Sequence, residues 1–98
     1  MANKPSTAAI ILLVDDEPPV RAVQRRALEL DGYVVEEARS GLEGLAAIRH
    51  PARIDLLVAD LEMPGLGGAE MVRQIRMIRP DLPVLYVTGY IEDRKSVV

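Results

Sequence analysis

Ninety-eight residues hold one domain at most, and an apolar content of 49% is ample for a core. The formal charge is −3 with Lys and Arg scattered, which argues against a nucleic-acid footprint, and the absence of cysteine excludes a disulfide framework and a thiolate metal site. The early apolar run, residues 8–14, is too short to cross a bilayer, and two aspartates follow it where a signal peptide would carry a small-residue cleavage site, so the chain reads as soluble and cytoplasmic.

Residues 1–7 form a polar, proline-containing lead expected to be unstructured. Residues 8–14 then read as a buried strand ending in acid, Asp15-Asp16-Glu17. Pro18 and Pro19 open a helix, where their missing N–H groups cost nothing, and Val20, Val23, Ala27 and Leu30 fall on one face expected to point inward. Gly32 is placed to end it. Residues 33–38 read as a short strand with an acidic second half. Ser40 is the expected N-cap of a helix over 41–49, with Leu42, Leu45 and Ile48 inward and Pro51 beyond its end.

The stretch 55–65 carries four apolar residues in a row, the mark of a strand buried on both faces, and Asp60 stands where that strand runs out. Met63-Pro64-Gly65 forces a turn there. A helix is expected over 69–79 with Met71, Val72, Ile75 and Ile78 as its stripe, stopped by Pro80, and a fourth strand over 82–87 closed by Thr88-Gly89. Strands alternating with helices through short links predict an α/β, doubly wound parallel sheet covered on both faces.

Parallel strands put their carboxyl ends on one edge, so Asp15, Asp16, Asp60 and Thr88 can converge. Carboxylates gathered in one cleft repel unless a cation joins them, and Mg²⁺, a hard ion with oxygen ligands, is the natural guest. One carboxylate can then attack a phosphoryl group to give an acyl phosphate. Thr88 either donates to a phosphoryl oxygen or caps a turn. His50 precedes a proline at a helix end and reads as a solvated residue, not a phosphocarrier.

Leu12-Leu13-Val14-Asp15-Asp16-Glu17-Pro18, Asp60-Leu61-Glu62-Met63-Pro64 with Gly68, and Val87-Thr88-Gly89 together resemble the receiver domain of two-component response regulators. That resemblance implies a flavodoxin-like, CheY-like three-layer α/β/α fold with strand order two, one, three, four, five. It implies Asp60 as phosphoacceptor, Asp16 as a direct Mg²⁺ ligand, Asp15 as a ligand through water, Glu62 as a ligand through its backbone carbonyl, and Thr88 as the switch hydroxyl. The phosphodonor would be a sensor histidine kinase or phosphotransfer protein, with no catalytic turnover beyond self-phosphorylation and autodephosphorylation.

The resemblance runs from residue 8 to about 93, and the receiver domain is expected over 8–98, lacking the last strand and helix. The family's lysine has no counterpart, and Lys95 lies too near Thr88 to serve. An unpaired edge at the fourth strand predicts self-association as a dimer through that edge. Two alternatives stand beside this: a receiver-derived interaction fragment impaired in phosphorylation, and a fragment of a haloacid-dehalogenase-like phosphatase. The latter family wants Asp-x-Asp on its first strand, where this chain has Glu17.

Overall fold

A computed structural model of the chain describes residues 8–50 and 53–87. The expected lead at 1–7, Pro51, Thr88, Gly89, Lys95 and any start of a fourth helix lie outside the described residues. The elements follow in the order β1 (Ile10–Val14), α1 (Pro18–Leu30), β2 (Val34–Ala38), α2 (Gly41–Arg49), β3 (Leu56–Asp60), α3 (Gly68–Ile78) and β4 (Val84–Val87). The four strands are parallel in the order β2-β1-β3-β4. This is the expected doubly wound arrangement, with boundaries shifted by one or two residues at several ends.

The two faces of the sheet bury separate clusters, and the alternation along the strands sorts them. Leu12, Val14, Leu57 and Ala59 pack with Leu45 and Ile48 of α2 and Met71, Val72 and Ile75 of α3. Ile11, Leu13 and Val58 face the other way, against Leu28 of α1, Val35, Leu56 and Val87. β1 and β3 are therefore apolar on both sides, which explains their unbroken apolar runs.

Expectations about inward faces fail in part on each of the three helices. Val23 is 70% and Leu30 76% exposed, and no residue of α1 is fully buried. The helix turns Leu28, Gln24 and the stem of Arg21 toward the protein instead. In α2, Leu42 is 70% exposed while Gly41 and Gly44 are buried with Leu45 and Ile48. A Cβ at Gly44 would stand 2.7 Å from Met71 Sδ and 3.1 Å from Val14 Cγ2, so α2 approaches the sheet and α3 through a residue without a side chain. On α3, Ile78 ends the predicted stripe but is 41% exposed.

The helix ends follow local chemistry. Ser40 Oγ accepts from the Glu43 amide at 3.1 Å, satisfying an N–H of the first turn of α2, and the Glu43 carboxylate accepts from the Arg39 amide just ahead of the helix at 2.9 Å. At the end of α1, Gly32 has φ +94° and its N–H donates to Glu29, while the Tyr33 N–H donates to Leu28, a Schellman closure.

Candidate metal and phosphoryl site

The register of the sheet builds the site. Val14 pairs with Ala59, which brings the next residues, Asp15 and Asp60, level on the two central strands. The ladder carries on past the strand ends, with Asp15 N–H donating to Ala38 O at 3.1 Å and Leu61 N–H to Val87 O at 3.0 Å. The connection after β1 runs over one face and that before β3 over the other, so these carboxylates open into the crevice at the topological switch point.

Asp15, Asp16 and Asp60 each offer a carboxylate oxygen, and these atoms lie within 4.8 Å of one another. The expected convergence of these three acids is therefore present. Asp15 is 1% and Asp60 4% exposed, the only charged residues among the buried ones described. Each is held by the same local device: the Glu17 amide donates to Asp15 Oδ1 at 2.9 Å and the Glu62 amide to Asp60 Oδ1 at 3.1 Å. Asp15 Oδ2 is buried and has no partner.

Burial pushes the Asp15 carboxyl above its ordinary value against the pull of the Glu17 amide, and the charges of Asp60, Asp16 and Glu17 push in the same direction. Asp60 is raised chiefly by burial as well, opposed by the Glu62 amide and reinforced by Asp16. All the donors are hard oxygens, and one of them is orphaned. That combination could hold a hard cation, which would offset the repulsion and partner Oδ2.

The loop after Asp60 is anchored by Met63, which is buried in the α2/α3 cluster, and turned by Gly65 at φ +74°. α3 then begins directly against the site. A Cβ at Gly68 would overlap the Asp60 carbonyl oxygen and come within 2.9 Å of the Asp60 carbonyl carbon and Leu61 Cα. Only glycine permits this approach. Glu62 itself is exposed and contributes its amide to Asp60.

The sequence reading passed over Arg21 and Glu37. Arg21 Nη1 donates to the Asp15 carbonyl oxygen at 2.7 Å, and its Nε to Glu37 Oε1 at 2.7 Å. Arg25 engages the other oxygen of Glu37. The acidic second half of β2 is the available signal: Glu37 meets cations from α1 there.

Comparison with known proteins agrees with this geometry. The family described as response regulator receiver domain matches residues 11–98. The chain is 40% identical over 89 residues to the sensor kinase CckA of Brucella abortus, covering 90% of this chain and 9% of that protein. It is 47% identical over 79 residues to the response regulator MprA of Mycobacterium ulcerans, covering 81% of this chain and 34% of that protein. The chain thus spans about a tenth and about a third of these two relatives. Among solved structures, the Vibrio cholerae chemotaxis protein CheY4 superposes with a TM-score of 0.79 at 33% identity, over 91% of this chain and 77% of that one. The Thermotoga maritima response regulator TrrA, in complex with Mg²⁺ and BeF, gives a TM-score of 0.79 at 34% identity, over 91% and 76%. With its four-stranded parallel sheet, its acidic cluster at the switch point and a family match covering nearly its whole length, the chain belongs to the response regulator receiver domain family.

Proposed function

We propose that this domain is the phosphoacceptor of a two-component phosphorelay, with Asp60 receiving a phosphoryl group from the phosphohistidine of a sensor kinase or phosphotransfer protein. The observation that carries the reading is the cluster of Asp15, Asp16 and Asp60 with Asp15 Oδ2 buried and unpartnered. Asp15, Asp16, Asp60 and the backbone carbonyl of Glu62 would hold Mg²⁺, whose positive charge offsets the repulsion between the acids and an incoming phosphoryl group.

The Glu62 amide fixes one oxygen of Asp60, which orients the carboxylate at the mouth of the crevice. An Asp60 oxygen gives an electron pair to phosphorus as the P–N bond to the donor imidazole breaks. That bond's pair returns to the ring nitrogen, which takes up a proton, and an acyl phosphate remains on Asp60. Asp60 is consumed stoichiometrically, so the domain is an acceptor with at most self-phosphorylation and autodephosphorylation, not a turning-over phosphatase. Thr88 is assigned the switch hydroxyl on the Val87-Thr88-Gly89 motif. A cytoplasmic location suits such a partner, and among the described residues no helix is long and apolar enough to cross a membrane.

Self-association belongs to the same reading. β2, one edge of the described sheet, carries Glu36 and Glu37, whereas β4 at the other edge is uncharged and shows exposed Leu85 and Tyr86. Charge is what ordinarily blunts an edge, and its absence at β4 favours pairing there with a second copy.

The phosphoacceptor assignment is tested by titrating the protein with beryllofluoride and following amide resonances. Saturable shifts that require Mg²⁺ and vanish in Asp60→Asn are expected. Shifts of equal size in Asp60→Asn would overturn it.

A further inference from the structure

The Arg21 side chain is only 11% exposed, unusual for an arginine on a helix that buries no residue fully. Its planar guanidinium serves two acceptors on different elements. One is the carbonyl oxygen of Asp15, just past β1, and the other is the carboxylate of Glu37 on β2. The two N–H groups used belong to the same rigid fork, so α1, the end of β1 and β2 are fixed relative to one another by a single group. The carbonyl it holds lies in the peptide that joins Asp15 to Asp16. The orientation of that peptide decides where both carboxylates stand relative to Asp60.

We infer that Arg21 is a positioning residue for divalent-cation binding: by fixing the Asp15–Asp16 peptide against Glu37 it sets the geometry of the acidic cluster without itself touching the cation or the phosphoryl group. This rests on the reading of Asp15, Asp16 and Asp60 as cation ligands. Partners one layer removed from metal ligands commonly change affinity by orienting those ligands.

Positioning and simple charge make opposite predictions. A guanidinium held on the Asp15 carbonyl repels a cation bound by the acids, so if its charge were what mattered, deleting Arg21 would tighten cation binding and lysine would replace it without effect. If it positions the peptide, deletion weakens binding. Lysine also fails, because a point donor on a flexible stem cannot reproduce a two-acceptor fork. A mere structural clip would lower the melting temperature and leave the affinity of the folded protein unchanged.

The test is titration with Mn²⁺, followed through the electron paramagnetic resonance of the free ion, at a temperature where melting curves show every variant folded. Arg21→Met and Arg21→Lys are each expected to bind Mn²⁺ about tenfold more weakly than the parent. Arg25→Met, which loses a contact to Glu37 but none to Asp15, is expected to stay within roughly twofold, as for an exposed ion pair. Tighter or unchanged binding in Arg21→Met, or parental binding in Arg21→Lys, overturns the inference. Asp16→Asn separates the two levels of the argument. If it loses Mn²⁺ while the Arg21 variants keep it, positioning alone falls; if the parent takes up no Mn²⁺, or Asp16→Asn binds as well as the parent, the cation reading falls and this inference with it.

Discussion

Asp15→Asn should make the cation-free protein more stable while abolishing its response to Mg²⁺. The carboxylate is buried, one of its oxygens has no partner, and oxygens of Asp16 and Asp60 lie within 4.8 Å. At an effective dielectric constant of about 20, two unit charges at that separation repel by roughly 3 kcal/mol, and Asp15 takes part in two such pairs. Asparagine removes the charge, keeps the shape, retains an acceptor for the Glu17 amide and offers N–H groups to the neighbouring carboxylates. Against this stand the weakening of a charge-assisted bond and any amide hydrogen left without an acceptor, each about 1 kcal/mol. Asp16 is only half-buried, so water screens most of its share of the repulsion; a net gain of about 2 kcal/mol is expected, or roughly 8–16 °C in melting temperature for a domain of this size. The assay is thermal unfolding by circular dichroism at neutral pH, in chelator and then in Mg²⁺. The parent should gain about 2.7 kcal/mol when Mg²⁺ reaches a hundred times its Kd, and the variant almost nothing. The pH dependence has a definite sign. Burial raises the folded-state value for Asp15 above that of the unfolded chain, so its proton-linked stability is full below the ordinary aspartate value of about 3.9 and is lost as pH rises through the raised one. The advantage of Asp15→Asn should therefore shrink on acidification. A variant that melts below the parent in chelator, or gains as much from Mg²⁺, would refute the reasoning.

Gly68→Ala drives a methyl group into the backbone at Asp60 and Leu61, which cannot move aside as a side chain can, and should cost about 1–3 kcal/mol and weaken beryllofluoride binding. Melting within a degree or two of the parent, with unchanged binding, would show that the start of α3 yields easily. Asp55, held below its ordinary value first by the Ile10 amide and then by Arg53, contributes stability above the ordinary aspartate value that is lost as pH falls through the lowered one; Asp55→Asn should flatten the acid limb of the melting profile, and an unaltered limb speaks against it. Leu85→Lys places a charge on the β4 edge at an exposed position and should convert a concentration-dependent dimer into a monomer in sedimentation; a parent that is monomeric at every concentration removes the pairing at β4.

The strands and the acids were legible because their signals are local. Ile11 to Val14 and Leu57 to Ala59 are buried on both faces, so no periodicity had to be judged, and an aspartate following each run can only stand at the carboxyl edge of a parallel sheet. The helix faces depart from their apolar pattern for a related reason. The regular stripe of Val20, Val23, Ala27 and Leu30 invites burial, but α1 is oriented by Arg21 and Gln24 as well as Leu28, polar residues that a hydrophobic count sends outward. Arg21 goes inward because Glu37 and the Asp15 carbonyl meet it there, a pairing across three elements that the pattern of one helix does not contain. Leu42 reads as inward together with Leu45 and Ile48, whereas the close approaches are made by Gly41, against Leu66, and by Gly44, against Val14 and Met71, inward because they are small.

The same contrast explains how the site persists in a domain this small. Apolar packing of β1 and β3 holds the strand ends in register, and the cost of crowding three acids falls on Asp15 and Asp60, the charged residues buried deepest among those described. Nothing in the described packing needs those charges, since asparagine would fill the same space. Under the function proposed above, a ligand that returns the lost free energy on binding accounts for their presence at the switch point. On that reading a divalent cation would do so for the unpartnered Asp15 oxygen, and the crevice beside Asp60 would then be a place where an anion can sit.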